Sequence, residues 1–183
     1  MPQLTRHHAH WPPGVPHTLA LEDCNLFDHL EASARRVPEK AAVVYYGRET
    51  SFRALHAAAL TLAGYLQQRL GLRQGDRVLL MMQNCPQFFI AYYAAMRCDA
   101  VVVAMNPMST QQEIAFYAQD SGARILVTTQ DLADRAVGLL DEGALEALLV
   151  GATSEFAGSA EDVPYLEIPA QWASRFTNRK AVE

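Results

Sequence analysis

Apolar residues recur along this chain in two patterns, and the first is helical. Between residues 52 and 70 they alternate steps of three and four, which places them on one face of a helix: Phe52, Leu55, Ala59, Leu62, Leu66 and Leu70. Ser51 precedes this stripe as an N-cap, and Gly71 follows it where a C′ glycine belongs. The pattern predicts a long amphipathic helix.

A shorter helix and a turn are predicted before it. Asn25 is a good N-cap for a helix that must end before Pro38, because the residue preceding a proline is pushed out of the helical region. Residues 41–46 (AAVVYY) are β-rich, and Gly47 turns the chain into RETSF at 48–52. This arrangement indicates a hairpin-like corner.

The second pattern consists of continuous apolar runs. VLLMM (78–82), AVVVAM (100–105) and ILVTT (125–129) contain no polar alternation, apart from the terminal threonines of the third. Such runs are typical of strands that are covered on both faces, as in parallel sheets. They therefore predict three parallel strands.

Segments of helical length lie between these runs. Asn84 can cap the first, with Gln87 placed three residues on as its capping-box partner. Thr110 opens the second in a T-Q-Q-E capping box with Glu113, and Gly122 ends it. The alternation predicts βαβ units with right-handed crossovers.

The expected fold class is therefore α/β, a mostly parallel sheet built of βαβ units and flanked by helices. Residues 132–140 and 146–150 continue the series as a further helix and strand. We expect an extended amino-terminal arm over 1–22, an α/β subdomain over 23–150, and a weakly patterned tail over 151–183. Trp172 and Phe176 are scattered anchors in that tail.

No membrane span or signal peptide is expected. The longest apolar region, residues 84–107, is interrupted by Gln87, Arg97 and Asp99, which leaves no run near the roughly 20 apolar residues that a bilayer requires. The first twenty residues contain histidines and prolines but no apolar core of a signal peptide.

Charge and cysteine content narrow the function classes. The formal net charge is −5, so the chain has no basic footprint for nucleic acid. Cys24, Cys85 and Cys98 are far apart and odd in number, so we expect reduced thiols in a cytoplasmic protein.

Polar residues follow each predicted strand. Gln83–Asn84, Asn106–Pro107 and Thr129–Gln130 should meet at the carboxyl edge of the sheet, where open α/β sheets bind ligands. Their amides could bind a ligand, or Asn84 is an N-cap and Asn106 a turn residue. Neither glycine-rich phosphate-binding motif occurs in the chain. An independent mononucleotide site of these kinds is therefore not expected.

Three other groups have two interpretations each. The first is the set of arm histidines, which form either a metal site or a solvated arm: His7, His8, His10 and His17. Cys85 follows the predicted cap, where its pKa would be lowered, or it is a small buried hydrophobe. Asp99 precedes a buried strand and is either a functional group or, more simply, an exposed loop position.

Several stretches together resemble the amino-terminal part of the AMP-forming acyl-CoA synthetases, within the adenylate-forming superfamily. These are residues 35–55, 71–114 and 120–132, with Gly-Asp-Arg-Val at 75–78, Asn-Cys-Pro at 84–86, Asn-Pro at 106–107 and Asp-Ser-Gly-Ala at 120–123. Residues 10–36 are similar to the entry segment of long- or medium-chain fatty-acid members. Asp99 stands where many relatives carry glycine, and Met105 where many carry proline.

The resemblance implies a parent ligase that uses ATP and Mg²⁺ to form an acyl-adenylate from a fatty acid, and then transfers the acyl group to coenzyme A. The family's phosphate loop, ribose-binding aspartate and catalytic lysine match no position here, and neither Lys40 nor Lys180 fits a catalytic role. We therefore expect no catalytic, cofactor-binding or metal residue in this chain, and no cofactor bound by it.

The leading hypothesis is thus an amino-terminal fragment of a fatty-acid–CoA ligase, inactive alone. Its exposed apolar surface would favour self-association. Four apolar residues of the first crossover helix are candidates for an acyl pocket, with plain core packing as the alternative: Phe88, Phe89, Tyr92 and Met96. A competing hypothesis is a self-contained α/β module that binds a small acid or a protein partner.

Overall fold

The computed structural model describes residues 5–21 and 23–158. In these residues the α-helices are α1 (Leu26–Arg36), α2 (Phe52–Gln68), α3 (Pro86–Arg97), α4 (Gln111–Ser121) and α5 (Asp134–Asp141). The strands are β1 (Ala41–Tyr45), β2 (Arg48–Ser51), β3 (Arg77–Met81), β4 (Val101–Ala104), β5 (Ile125–Thr129) and β6 (Ala147–Gly151). Two 3₁₀ helices span Arg6–His10 and Thr153–Phe156.

Four strands form one parallel sheet in the order β4-β3-β5-β6. Leu79 of β3 lies opposite Val103 of β4 on one side and Leu126 of β5 on the other. The three continuous apolar runs are therefore adjacent parallel strands, and 146–150 adds the fourth. The α/β fold class predicted from the sequence is confirmed.

Helices cover both faces of this sheet, because successive side chains of a strand point to opposite faces. Val78 and Leu80 pack with α2 and α3 in one cluster. Leu79 and Met81 pack with α4 and α5 in another, and both are fully buried. A third, smaller cluster joins α1 to α2 and the hairpin.

The predicted caps of α1 and α4 are present. Asn25 accepts bonds from the backbone N–H groups of Phe27 and Asp28, and Asp28 closes the capping box on the Asn25 N–H. Thr110 and Glu113 form the same box at the start of α4. These side chains satisfy helix N–H groups that have no partner within the helix.

The hairpin turn between β1 and β2 is also as predicted. Tyr45 pairs with Arg48, which leaves Tyr46 and Gly47 as a two-residue loop. Both loop residues have positive φ, 45° and 76°, the combination that type I′ turns require.

Two predicted helix ends are shifted. The N-cap of α3 is Cys85, not Asn84, with Pro86 as the first helical residue and no side-chain cap. Proline needs no N–H partner at that position, so the helix can begin there without an asparagine cap. Helix α2 ends at Gln68, before the predicted Leu70, and Gly71 lies beyond its C′ position with φ 62°.

The prediction that β4 is covered on both faces is wrong for the described part of the chain. This strand lies at the edge of the sheet, and Val101 and Ala104 are exposed. The apolar run therefore predicts the strand β4 correctly, but this strand is not buried among the described residues.

Two predictions concern the ends of the chain. The predicted arm contains the first 3₁₀ helix, and the predicted anchors Trp172 and Phe176 lie outside the described residues. Among the residues described, none of the helices is long and apolar enough to cross a membrane.

Candidate functional site

The four parallel strands end at one edge of the sheet, where we expected polar residues to meet. Asn106 Oδ1 accepts a bond from the Met108 N–H at 2.9 Å, so this side chain closes a local turn. Asn84 is exposed and does not cap α3. The turn interpretation of Asn106 therefore holds, and the cap interpretation of Asn84 does not.

A cavity of about 420 Å³ lies close to this edge, on the face of the sheet that α2 and α3 cover. Its volume falls in the usual range of small-molecule sites. Helices α2 and α3, the ends of β5 and β6, and the second 3₁₀ helix line this cavity, which is partly open to solvent. The lining is mainly apolar, from Ala58, Leu62, Met82, Ile90, Ala91, Val127, Leu149, Val150 and Phe156, with Thr61, Tyr65, Gln87, Thr128, Gly151 and Glu155.

Gln87 is the principal buried polar side chain of this lining. It is only 8% exposed, and its Nε2 donates to the Ala152 carbonyl at 2.6 Å. That carbonyl fixes the orientation of the amide, because a flipped amide would bring two acceptor oxygens together. The Oε1 atom has no hydrogen-bond partner in the described part of the chain.

The threonine hydroxyls of the lining are already engaged as donors. Thr61 donates to the Ala57 carbonyl at 3.0 Å, and Thr128 donates to the Met81 carbonyl at 2.6 Å. Each keeps only acceptor capacity. Thr128 is fully buried, and its side chain lies on the opposite face of the sheet from Val127, so of these two hydroxyls only that of Thr61 lies on the side of the cavity.

None of the four predicted pocket residues lines the cavity. Phe88 and Tyr92 stack at 6.2 Å between ring centroids and pack against the core on the α2–α3 face. Met96 packs in the cluster around α1, and Phe89 is 39% exposed. Core packing accounts for three of the four.

Burial makes the thiols of Cys85 and Cys98 unreactive. Cys85 is 2% exposed, its Sγ lies 3.8 Å from Met82 Sδ, and burial raises the pKa of its thiol. Burial also raises the pKa of Cys98, whose Sγ donates to the Ala63 carbonyl. The small-hydrophobe interpretation of Cys85 is the one that the structure supports.

The arm histidines pack on each other and on a tryptophan. The His8 and His17 rings stack at 4.1 Å between centroids, and Trp11 lies edge-on to both. Desolvation and the neighbouring His17 and His7 lower the pKa of His8. Over the ranges 5–21 and 23–158, no three His, Cys, Asp or Glu side chains are grouped to hold a metal ion.

The turn after β3 differs from a glycine-rich phosphate-binding loop. The turn after β3, QNCPQFF, has no glycine to bring backbone N–H groups close to phosphates. Two arginines reach these loops, but each donates to a backbone carbonyl, Arg48 to Glu155 and Arg135 to Pro107. Each bond uses one nitrogen of a guanidinium that has five N–H donors.

Sequence reasoning missed the role of Gln87. It was assigned to a capping box, whereas its side chain reaches the carbonyl of Ala152, 65 residues away. The one available signal was its place in the first turn of a helix that otherwise presents apolar residues to the core. Only the fold of 147–156 reveals the cavity.

Comparison with known families gives a match over most of the chain. Residues 30–174 match the family model described as AMP-binding enzyme. A long-chain-fatty-acid–CoA ligase from Bacillus subtilis (strain 168) is 31% identical over 157 residues, covering 86% of this chain and 28% of the relative. One from Escherichia coli O6:H1 is 35% identical over 126 residues, covering 69% and 22%. The chain thus spans about a quarter of the length of these relatives.

Solved structures give the same result for the fold. A long-chain-fatty-acid-CoA ligase from Archaeoglobus fulgidus superposes with a TM-score of 0.66 at 25% identity, covering 76% of this chain and 30% of that one. The Klebsiella oxytoca NpsA N-terminal subdomain, in complex with 3-hydroxyanthranilyl-AMSN, gives a TM-score of 0.53 at 28% identity, with coverages of 57% and 26%.

Proposed function

Because the chain belongs to the AMP-binding enzyme family, as an amino-terminal part of an adenylate-forming enzyme, we propose that it serves an ATP-dependent fatty-acid–CoA ligase. The parent reaction would form an acyl-adenylate from a long- or medium-chain fatty acid and then transfer the acyl group to coenzyme A. ATP, Mg²⁺, fatty acid and coenzyme A would be ligands of that whole enzyme.

The observation that supports this proposal is the parallel sheet with helices on both faces. Its two buried faces give α3 and the loops at the carboxyl edge a rigid support, which a positioned active site requires. The chain's own task would be to form one wall of the enzyme.

We further propose that the 183-residue chain is inactive alone. The chemistry of adenylation needs cationic and amide groups around the triphosphate, and the turn after β3 has no glycine-rich phosphate loop. Binding energy without those groups does not lower the barrier of the chemical step.

A chimera tests the proposal. Residues 23–158 would replace the matching segment of the Bacillus subtilis ligase, and acyl-CoA formation from a fatty acid would be measured by mass spectrometry. We expect the chimera to retain activity and the 183-residue chain to give only background. A folded but inactive chimera, or robust turnover by the chain alone, would overturn the proposal.

Two further features belong to this proposal. The thiols form no disulfide among the described residues, which favours a reducing, cytoplasmic location. Large apolar side chains are exposed near the edge strand, so the isolated chain would self-associate: Val101, Met108 and Phe116.

A further inference from the structure

The described part of the chain ends beside the cavity. Glu155 and Phe156, in the second 3₁₀ helix, belong to the cavity lining. Two residues later the Gly158 N–H donates to the Tyr46 carbonyl at 3.0 Å, which fixes the chain at the loop of the hairpin. Residues 159–183 therefore start next to the cavity, and they stay within its reach because a chain spans up to about 3.5 Å per residue.

The walls of the cavity suit an apolar occupant. Val127 and Leu149 line it from the sheet, and Leu62 and Ile90 line it from α2 and α3. Covering such apolar surface contributes about 25 cal/mol for each Å² removed from water. The cavity is partly open to solvent, so a segment of the same chain can enter it from outside the described fold.

Charge selects one part of the segment that follows Gly158. Glu155 is the one carboxylate among the described lining residues, and it is exposed. Residues 159–167 carry three carboxylates and no cation, so near the cavity they would meet a like charge. Residues 172–180 carry three cations and no carboxylate. Electrostatic complementarity therefore favours residues 172–180 as the part that lies against the cavity.

Trp172 is the side chain of this part that suits the cavity best. An indole combines a large apolar body with one N–H donor, which usually finds a hydrogen-bond partner when it is buried. The Thr61 hydroxyl donates to the Ala57 carbonyl at 3.0 Å, so its oxygen remains an acceptor on the side of the cavity. A cavity of about 420 Å³ is in the size range that buries drug-sized ligands, and an indole is smaller than these.

We propose that the cavity is an intramolecular docking site for residues 172–180, with Trp172 as the buried anchor and the cations of the segment beside Glu155. The covalent connection raises the effective concentration of the segment to about the millimolar range, so a contact that is weak between separate molecules is populated within one chain. This docking concerns the packing of the chain itself, so it goes beyond the proposed ligase function and does not depend on it.

Methyl–aromatic NOEs in the unmodified 183-residue chain test the placement directly. We expect NOEs from the Trp172 indole to the methyl groups of Val127 and Leu149. NOEs to these methyl groups from Tyr165 instead, or none from residues 159–183, would overturn the proposal. A mixture of labelled and unlabelled chains separates contacts within one chain from contacts between two. NOEs found only between chains would assign the cavity to a second copy, which would also overturn the proposal.

Fluorescence of Trp172 gives an independent measurement. In Trp11→Phe, Trp172 is the one remaining tryptophan of the chain. Its emission should lie at shorter wavelength in buffer than in urea, and acrylamide should quench it about tenfold less, which corresponds to about 1.4 kcal/mol of docking free energy. Emission and quenching equal to those in urea would contradict the docking.

Two alanine substitutions, each made in Trp11→Phe, locate the docked indole. Ala58→Leu fills the cavity from the α2 side and should give Trp172 the emission and quenching of an exposed indole. Ala57→Leu is the matched control, because Ala57 is exposed on the same helix and lies outside the lining; it should leave both values unchanged. Equal effects of the two substitutions would overturn the proposal. The NOEs of the unmodified chain are decisive even if a variant does not fold.

Discussion

Asp99 Oδ1 accepts a hydrogen bond from Asn25 Nδ2 at 3.2 Å, which ties the N-cap residue of α1 to the residue after the C-cap of α3. Asp99 has φ 53°, the left-handed conformation that aspartate tolerates better than most residues. Its carbonyl also accepts from the Gly75 N–H. The contact explains how an aspartate can hold this left-handed position.

Substitutions at Asp99 should separate the effect of its hydrogen bond from the effect of its left-handed backbone conformation. In Asp99→Gly, relief of left-handed strain offsets the lost hydrogen bond, so the free energy of unfolding should change by less than about 1 kcal/mol. Asp99→Val loses the bond and strains a β-branched residue, which should cost about 2 kcal/mol. Urea denaturation would measure both, and equal costs would contradict this account of the position.

The three cysteines should differ in how fast their thiols react. Cys24 is exposed, whereas Cys85 and Cys98 are buried and burial raises the pKa of both thiols. Because the thiolate is the reactive species, we expect one rapid thiol per chain with an aromatic disulfide reagent at pH 8. Cys24→Ser should remove this rapid phase. Two or three rapid thiols in the folded chain would show that the core is open.

The packing of the histidine arm should weaken in acid. The pKa of His8 in the folded arm is lowered from its ordinary value of 6.5 by desolvation and by His17 and His7. The unfolded arm therefore binds protons more readily, so the contact is fully present above pH 6.5 and is lost as the pH falls through the lowered pKa. Proton NMR of the imidazoles would follow this, and His17→Gln should bring the pKa of His8 closer to 6.5. A pKa of His8 at or above 6.5 would contradict the stacked arrangement.

Self-association should depend on the apolar surface near β4. Phe116 is 61% exposed on α4, and β4 has an open edge in the described fold. Phe116→Lys should lower the apparent mass measured by light scattering at high concentration. Gln112→Lys, which adds the same charge on the same helix, should have a smaller effect. A monomer at all concentrations would rule out association through this surface.

Features of the fold that depend on interactions between neighbouring residues could be predicted from the sequence, whereas features that depend on distant residues could not. Helices α1, α2 and α4 were placed by side chains that act within four residues, Asn25, Ser51 and Thr110, and these signals held. The parallel strands followed from continuous apolar runs. The exposure of β4 could not be predicted, because a run of valines does not report which strands lie beside it.

The cavity could not be predicted for the same reason. Gln87 meets Ala152 across 65 residues, and that contact depends on how the chain leaves β6. Local patterns placed Gln87 in a capping box with Asn84, but α3 begins one residue later, at Pro86. The helix starts one residue later than predicted, and the Gln87 side chain lines the cavity and does not take part in a cap.

The central claim is that this chain forms the α/β wall of an adenylate-forming enzyme without the groups that hold a triphosphate. Calorimetric titration of the folded 183-residue chain with ATP and Mg²⁺ tests it most directly. We predict no saturable heat up to millimolar nucleotide, because neither glycine-rich phosphate-binding motif occurs in the chain. One-to-one binding with a micromolar dissociation constant would contradict the account.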